Sequence, residues 1–253
     1  MGLSVERCTS AIAEHSLGFA DAARGRLDGT VEHCPGWSVA DLVRHLTEVH
    51  WFWGTIVEEL LPEPPDESRR PARPADDELV DGFAAGAVRL VRVLREADQS
   101  ARCWTWAGWQ QDVAFVTRHQ VQEAVVHHWD AVHAANAAGG SAVDFVVSPD
   151  VAADSVDEFL HFSVASDDDP DEPTTPPLDG AIAFRATDTG DAWTLTDGRP
   201  GTAAVSSGVR EGVPALQAPA GDLLLWLYQR IELDATAVPA DLLARFRGIC
   251  FTD

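Results

Sequence analysis

A Glu-x-x-x-His pair, Glu123 and His127, is the part of the sequence that most clearly suggests a chemical function. In an α-helix, residues four apart lie about 40° apart around the axis and about 6 Å apart along it. Both side chains can therefore reach one metal ion. The surrounding pattern predicts a helix over 112–137 with apolar residues on both faces. That pattern indicates that the pair points into a helical bundle rather than toward solvent.

A zinc-like site needs a further ligand from another element, and the histidines that we consider are His45, His50 and His119. On a helix predicted over 38–60, His45 lies within about 60° of an apolar stripe, whereas His50 lies about 140° from it, on the polar side. His119 precedes the pair on the same helix, but the three residues would span about 12 Å, which is too far for one ion. We therefore predict His45, Glu123 and His127 as metal ligands.

A purely structural interpretation of these residues stays open beside the metal site. Glu123 is then a buried carboxylate paired with Arg118 or a histidine, and His45 is a core histidine whose ring nitrogens are hydrogen-bonded to neighbours. Asp130 likewise has two interpretations, either an acceptor that orients a ligand imidazole or a partner in a surface ion pair. Three nitrogen and oxygen ligands would leave a fourth position open, as in catalytic zinc sites.

Composition excludes several classes of function. The chain has 41 acidic and 18 basic residues, and its net charge of -23 disfavours nucleic-acid phosphates and anionic membranes as partners. Every basic residue is an arginine, so a P-loop lysine or a Schiff-base lysine is excluded. The four cysteines form no CxxC pair, and we expect them to be reduced. With no leader-like start and no membrane-length apolar run, the sequence predicts a cytoplasmic protein.

The first half of the sequence predicts a bundle of four helices with short or medium connections. Ser38 is a suitable N-cap for the second helix, and Asp41 suits the positive end of that helix. The proline-rich stretch 62–74 is predicted to be a loop that serves either as a lid or as a connector. The helices are predicted at 4–24, 38–60, 77–98 and 112–137.

The second half predicts a smaller α+β domain. A helix over 151–163 is followed by an acidic, proline-rich loop at 167–177. Alternating patterns predict a hairpin and two further short strands. Helices are expected at 221–231 and 240–246. We place the domain boundary so that residues 1–140 form the bundle and 141–253 the α+β domain, which makes the fold class α+β.

Four segments of the sequence resemble the mycothiol-dependent maleylpyruvate isomerase family, and the resemblance extends over nearly the whole chain. It implies a DinB-like four-helix bundle followed by a small α+β domain. It also implies a divalent metal, typically zinc, held by His45, Glu123 and His127, and mycothiol as the thiol co-substrate. The segments are CPGWSVADLVRHL at 34–46, WTW at 104–106 with Phe115 and Arg118, EAVVHHWDA at 123–131, and DLLLWLYQR at 222–230.

The resemblance implies thiol chemistry without fixing one reaction. Metal coordination deprotonates a thiol whose pKa is near 8.5. In an isomerase the thiolate adds to a cis double bond, the new single bond rotates, and the thiolate leaves again; in a transferase the adduct departs. The alternative is a non-catalytic metal- and ligand-binding protein on the same fold. Neither the physiological electrophile nor the oligomeric state follows from the sequence.

Several further residues could either serve the site or have a structural role. The resemblance suggests Arg230 as the catalytic cation for a substrate carboxylate, but it could equally stabilise the C-terminal end of its helix. Arg44 and Arg118 are other sources of local positive charge. Trp104, Trp106 and Trp109 either line a pocket mouth or belong to the core. We expect Cys34 and Cys103 to be buried, unreactive thiols.

Overall fold

The structure, a computed structural model of the chain, describes residues 2–139, 142–164, 176–199 and 202–251. It divides into two compact units, Met1–Val146 and Val147–Asp253, so the division falls after Val146 rather than after residue 140. Most of the loop expected at 167–177 lies outside the described residues. Within the described ranges, no helix has both the length and the apolar character needed to cross a membrane.

Four helices build the first unit, as the sequence predicts. Helices α1 and α2 each pack against α3 and α4, which gives a four-cornered bundle. Within the described part of the loop after α2, residues 67–69 form a short 3-10 helix. The bounds are α1 Val5–Ala23, α2 Val39–Glu59, α3 Leu79–Glu96 and α4 Val113–Ala137.

Local capping fixes where the two site-bearing helices begin. The Ser38 side chain accepts from the Asp41 backbone N–H, and the Asp41 carboxylate accepts from the Ser38 backbone N–H, which completes a capping box at the start of α2. Asp112 caps α4 by accepting from the Phe115 N–H at 2.9 Å. Most of α4 is buried, which explains why its sequence has apolar residues on both faces.

In its described residues, the second unit combines a four-stranded sheet with three helices. The expected hairpin is confirmed as the antiparallel pair β1 and β2, with β3 antiparallel to β2 and β4 parallel to β1, in the order β3-β2-β1-β4. Helix α6 packs against α5, β1 and β4. The bounds are α5 Pro149–Phe162, β1 Ala181–Ala186, β2 Ala192–Asp197, β3 Ala203–Ser207, β4 Ala215–Ala218, α6 Ala220–Leu227 and α7 Ala240–Gly248.

The helix expected over 221–231 is shorter than predicted. Helix α6 ends at Leu227, and Gln229 adopts a left-handed backbone with φ of 60° that no α-helix can continue through. The stacked rings of Trp226 and Phe246, 4° from parallel, fix this end of α6 against α7. Arg247 lies over the Trp226 ring at 3.6 Å from its centroid.

A buried histidine pair joins α1 to α4. The Nδ1 atoms of His15 and His128 lie 3.0 Å apart, so one ring donates a hydrogen bond and the other accepts it. Burial, together with the nearby charge of Arg7, lowers the pKa of His15 to about 4. Burial also lowers the pKa of His128 to about 4. Both rings are therefore neutral at pH 7.

Gly18 is the position that allows α1 and α4 to approach this closely. A Cβ atom there would lie 2.4 Å from Nε2 of His128. We expect Gly18→Ala to destabilise the protein by about 1–3 kcal/mol, because the hydrogen-bonded ring cannot move away without losing His15. Gly86→Ala on α3 is the matched control, since an added Cβ meets nothing within 4 Å. Chemical denaturation should show a lower midpoint for Gly18→Ala alone, and equal midpoints would contradict this packing.

The lowered pKa of His15 predicts a loss of stability in acid. Above about pH 6.5 the ring is neutral in both the folded and the unfolded chain. As the pH falls from 6.5 to about 4, only the unfolded chain takes up the proton, and the free energy of unfolding falls by up to about 3 kcal/mol. In His15→Gln this part of the fall should disappear, whereas exposed His161→Gln should keep it. Denaturation curves across this pH range test the prediction, and parallel profiles for all three proteins would refute it.

Candidate metal centre

The structure brings His45, Glu123 and His127 together. Each offers one ligand atom, and these atoms all lie within 4.8 Å of one another. Nε2 of His127 is 3.5 Å from Oε2 of Glu123. The rings of His45 and His127 meet edge to face, with centroids 5.1 Å apart. Helices α2 and α4 therefore place three side chains, predicted from helical spacing, around one point.

The arrangement fits a single divalent ion. Zinc bonds of about 2.1 Å in tetrahedral geometry separate neighbouring ligand atoms by about 3.4 Å, close to the 3.5 Å between His127 and Glu123. Oε2 of Glu123 is buried, and it has no hydrogen-bond partner among the residues that the structure describes. A buried carboxylate oxygen without such a partner is costly, and a bound cation would satisfy it. Two imidazoles and one carboxylate are a donor set that zinc accepts.

Asp130 fixes the orientation of the His127 ring. Its Oδ2 lies 3.0 Å from Nδ1 of His127, and the Asp130 side chain is fully buried. Because a carboxylate can only accept, Nδ1 carries a proton, which leaves Nε2 on the side of Glu123. This is the contact expected of an acceptor that orients a metal-binding imidazole.

Surrounding histidines compensate the charge of Glu123. Burial by itself raises the pKa of this carboxyl, but the electrostatic influence of His127, His119, His45 and His50 outweighs burial and holds the pKa below its ordinary value. Glu123 is therefore ionised at neutral pH. A negative charge in a largely buried position is a strong attractor for a cation.

The predicted burial of the two histidines on α2 is wrong in both cases. His45, expected on the buried stripe, is half-buried, whereas His50, expected on the polar side, is only 1% exposed. Helix α2 packs against both α3 and α4, so its buried arc is wider than one stripe. His50 stacks on Phe83 of α3 with centroids 5.3 Å apart. Burial lowers the pKa of His50 to about 4.

An aromatic cluster adjoins the carboxylate of Glu123. Nε2 of His119 is 3.9 Å from Oε1 of Glu123, and the His119 ring stacks on Phe115. Trp53 and Trp106 both meet the His119 ring edge to face. Sequence reasoning missed Trp53, although the aromatic run at 51–53 follows His50 directly. The cluster provides an apolar wall beside the three predicted ligands.

The tryptophans after α3 are not core residues. Trp106 is 43% exposed and Trp109 is 46% exposed, while Trp104 is half-buried and stacks on Trp53. Since Trp106 both contacts His119 and faces solvent, the pocket-mouth interpretation fits it better than the core interpretation.

The cysteines fall into two environments. Burial, with the charge of Asp112, raises the pKa of Cys103 to about 11, so this thiol is protonated and unreactive at neutral pH, as expected. Cys34 is half-buried rather than buried, which corrects the prediction. Its Sγ donates weakly to Oδ2 of Asp130 at 4.0 Å.

Arg230 belongs to the second unit, whereas the three predicted ligands belong to the first. It is buried, and its Nη1 donates to the Tyr228 carbonyl at 2.8 Å, just past the C-terminal end of α6. This contact is the one expected of a cation that stabilises a helix end. Arg44 pairs with Asp41 and Asp76, so its charge is offset locally. Arg118 is half-buried on α4.

Comparison with known proteins places this site in a family context. Residues 9–132 match the family described as the mycothiol maleylpyruvate isomerase N-terminal domain, a range that includes His45, Glu123 and His127. The crystal structure of the mycothiol-dependent maleylpyruvate isomerase has a similar fold, with a TM-score of 0.60 over 88% of each chain at 10% sequence identity. No curated protein sequence matches the chain. Residues 9–132 therefore form a domain of the mycothiol maleylpyruvate isomerase N-terminal domain family.

Proposed function

We propose that this protein is a metal-dependent enzyme that uses the thiol mycothiol for transfer to, or isomerisation of, a small electrophile. The observation that carries the proposal is the convergence of His45, Glu123 and His127 within 4.8 Å. The family match over residues 9–132 and the fold of a mycothiol-dependent isomerase support the choice of thiol. The cytoplasmic location expected from the sequence stays a prediction.

His45, Glu123 and His127 would hold a divalent ion, with zinc as the metal that suits the donor set. When bound, such an ion supplies the positive charge that deprotonates a thiol at neutral pH. The three residues contribute one negative charge in total, since both imidazoles bind metals in the neutral form. They therefore leave the site with net positive charge, which favours an anionic sulfur ligand.

Other residues of the chain prepare the site. Asp130 holds the His127 ring in one tautomer and one orientation, so little reorganisation is needed when an ion binds. Phe115 and Trp106 present aromatic surface around His119, next to Glu123, and would limit the access of water. Arg230 remains our proposed cation for a substrate carboxylate, since a guanidinium can bind a carboxylate through two parallel N–H donors.

Glu123→Gln keeps the shape of the side chain but removes its charge. We expect the metal-dependent reaction with mycothiol, either isomerisation of maleylpyruvate or transfer of the thiol to another electrophile, to slow by about 100-fold or more, since a ligand is lost where even supporting contacts are worth 10–100-fold. Glu48→Gln, on the same bundle and paired with exposed arginines, should retain the parent rate. Because isomerisation regenerates the thiol, it is followed by chromatography of the isomerised product, whereas transfer is followed as thiol loss with a chromogenic thiol reagent.

Two outcomes would contradict the proposed enzyme. A parent-like rate in Glu123→Gln would remove this carboxylate from the reaction. Metal binding by the parent, with neither isomerisation of maleylpyruvate nor transfer of mycothiol to a panel of other electrophiles, would favour the non-catalytic binding protein instead.

Asp130→Asn removes the charge of the side chain that orients the His127 ring. The amide can still hydrogen bond, but it no longer favours the tautomer with a proton on Nδ1, so we expect zinc affinity to fall by roughly 10–100-fold. Asp81→Asn is the matched control, because Asp81 is an exposed acid on α3 that pairs with Arg24. Competition with a zinc indicator measures both affinities. Equal affinities in parent and Asp130→Asn would show that the hydrogen bond does not support the site.

A further inference from the structure

A second group of metal-ligating side chains lies elsewhere in the first unit. Glu32, His33 and His133 each offer a ligand atom, and these atoms all lie within 4.8 Å of one another. Nε2 of His133 is 2.7 Å from Oε2 of Glu32. His133 belongs to the last part of α4, while Glu32 and His33 lie in the segment between α1 and α2.

Aromatic packing holds the two imidazoles of this group in place. The rings of His133 and Trp129 are stacked, 13° from parallel with centroids 4.6 Å apart. The His33 ring contacts both, at 5.3 Å from Trp129 and 5.6 Å from His133. The group is thus largely preformed rather than assembled from freely rotating surface side chains.

Backbone hydrogen bonds hold the segment that carries Glu32 and His33. The Val31 N–H donates to the Trp37 carbonyl at 3.0 Å, and the Trp37 N–H donates to the Cys34 carbonyl at 2.9 Å. The ordering cost of bringing this segment to α4 is therefore met by the fold itself, before any ion binds.

Exposure and charge both favour a cation at this group. The side chains of His133 and Glu32 are 38% and 68% exposed, so an ion can reach them from solvent. The net charge of -23 raises the local concentration of cations around the whole protein. Two imidazoles and one carboxylate suit zinc, nickel or copper rather than calcium or magnesium, which prefer oxygen ligands.

We propose that Glu32, His33 and His133 form a second divalent transition-metal site, separate from the centre at His45, Glu123 and His127. An ion there replaces the direct hydrogen bond between His133 and Glu32 and uses water for its remaining positions. Because this site is exposed, its affinity is lower than that of the buried centre. An ion at this position ties the segment between α1 and α2 to α4, and it stabilises the folded chain by mass action.

Zinc stoichiometry in single and double variants tests the proposal. After equilibrium dialysis of the full chain against excess zinc, elemental analysis should find two ions in the parent and one in His133→Ala. His45→Ala should also bind one, and the double variant none. His161→Ala, which removes an exposed histidine of α5, is the matched control and should keep two.

The variants separate this proposal from the proposed function. Loss of one ion in His45→Ala concerns only the buried centre, and loss of one ion in His133→Ala concerns only the second site. His33→Ala and Glu32→Gln give the same test should His133→Ala fail to fold. Two results would show that Glu32 and His133 form an ion pair only. In one, His133→Ala, or both His33→Ala and Glu32→Gln, would still bind two ions. In the other, the parent would bind a single ion, and His45→Ala would lose it.

Trp129 provides an independent readout. In the His45→Ala background, nickel bound to His133 lies beside the stacked indole and should quench its fluorescence. The quenching should be lost in His45→Ala with His133→Ala. Quenching of equal size in the double variant would place the nickel elsewhere and overturn the assignment.

Discussion

The negative charge of Glu123 inside a helical bundle is the constraint on which the rest of the site depends. A carboxylate at this depth is unfavourable unless positive charge or hydrogen bonds compensate it. Among the described residues, Oε2 of Glu123 has no hydrogen-bond partner, and the compensation comes from the histidines around it. A bundle that needs only stability would more simply place an apolar side chain here, so the arrangement favours a cation-binding role.

Helix α4 carries most of the residues that form and support the proposed metal site. It presents Glu123 and His127 to α2, the orienting carboxylate of Asp130 three residues later, and His128 to α1. Because most residues of α4 are buried, and the helix packs against both α1 and α2, it cannot rotate without breaking one of these contacts. The Asp112 cap at its start fixes the register along the chain. The position of the proposed metal ligands is therefore set by packing as well as by spacing.

Much of this could be predicted from the sequence, since helical periodicity located four helices and selected three residues that do converge. The two histidines of α2 show the limit of that method. A helical-wheel projection assumes one buried stripe, whereas α2 packs against two neighbouring helices. His50 lies in the part of the buried surface that the projection assigned to solvent. The parallel pairing of β4 with β1 likewise depends on long-range contacts that no local pattern contains.

The central claim is that His45, Glu123 and His127 hold one metal ion. Anomalous diffraction at the zinc absorption edge, on crystals of the parent protein equilibrated with zinc, tests it most directly. We expect a peak in the anomalous-difference map about 2.1 Å from Nε2 of His127, with Glu123 and His45 as the other two protein ligands. A well-ordered site without such a peak, in which Glu123 is satisfied by hydrogen bonds alone, would contradict it.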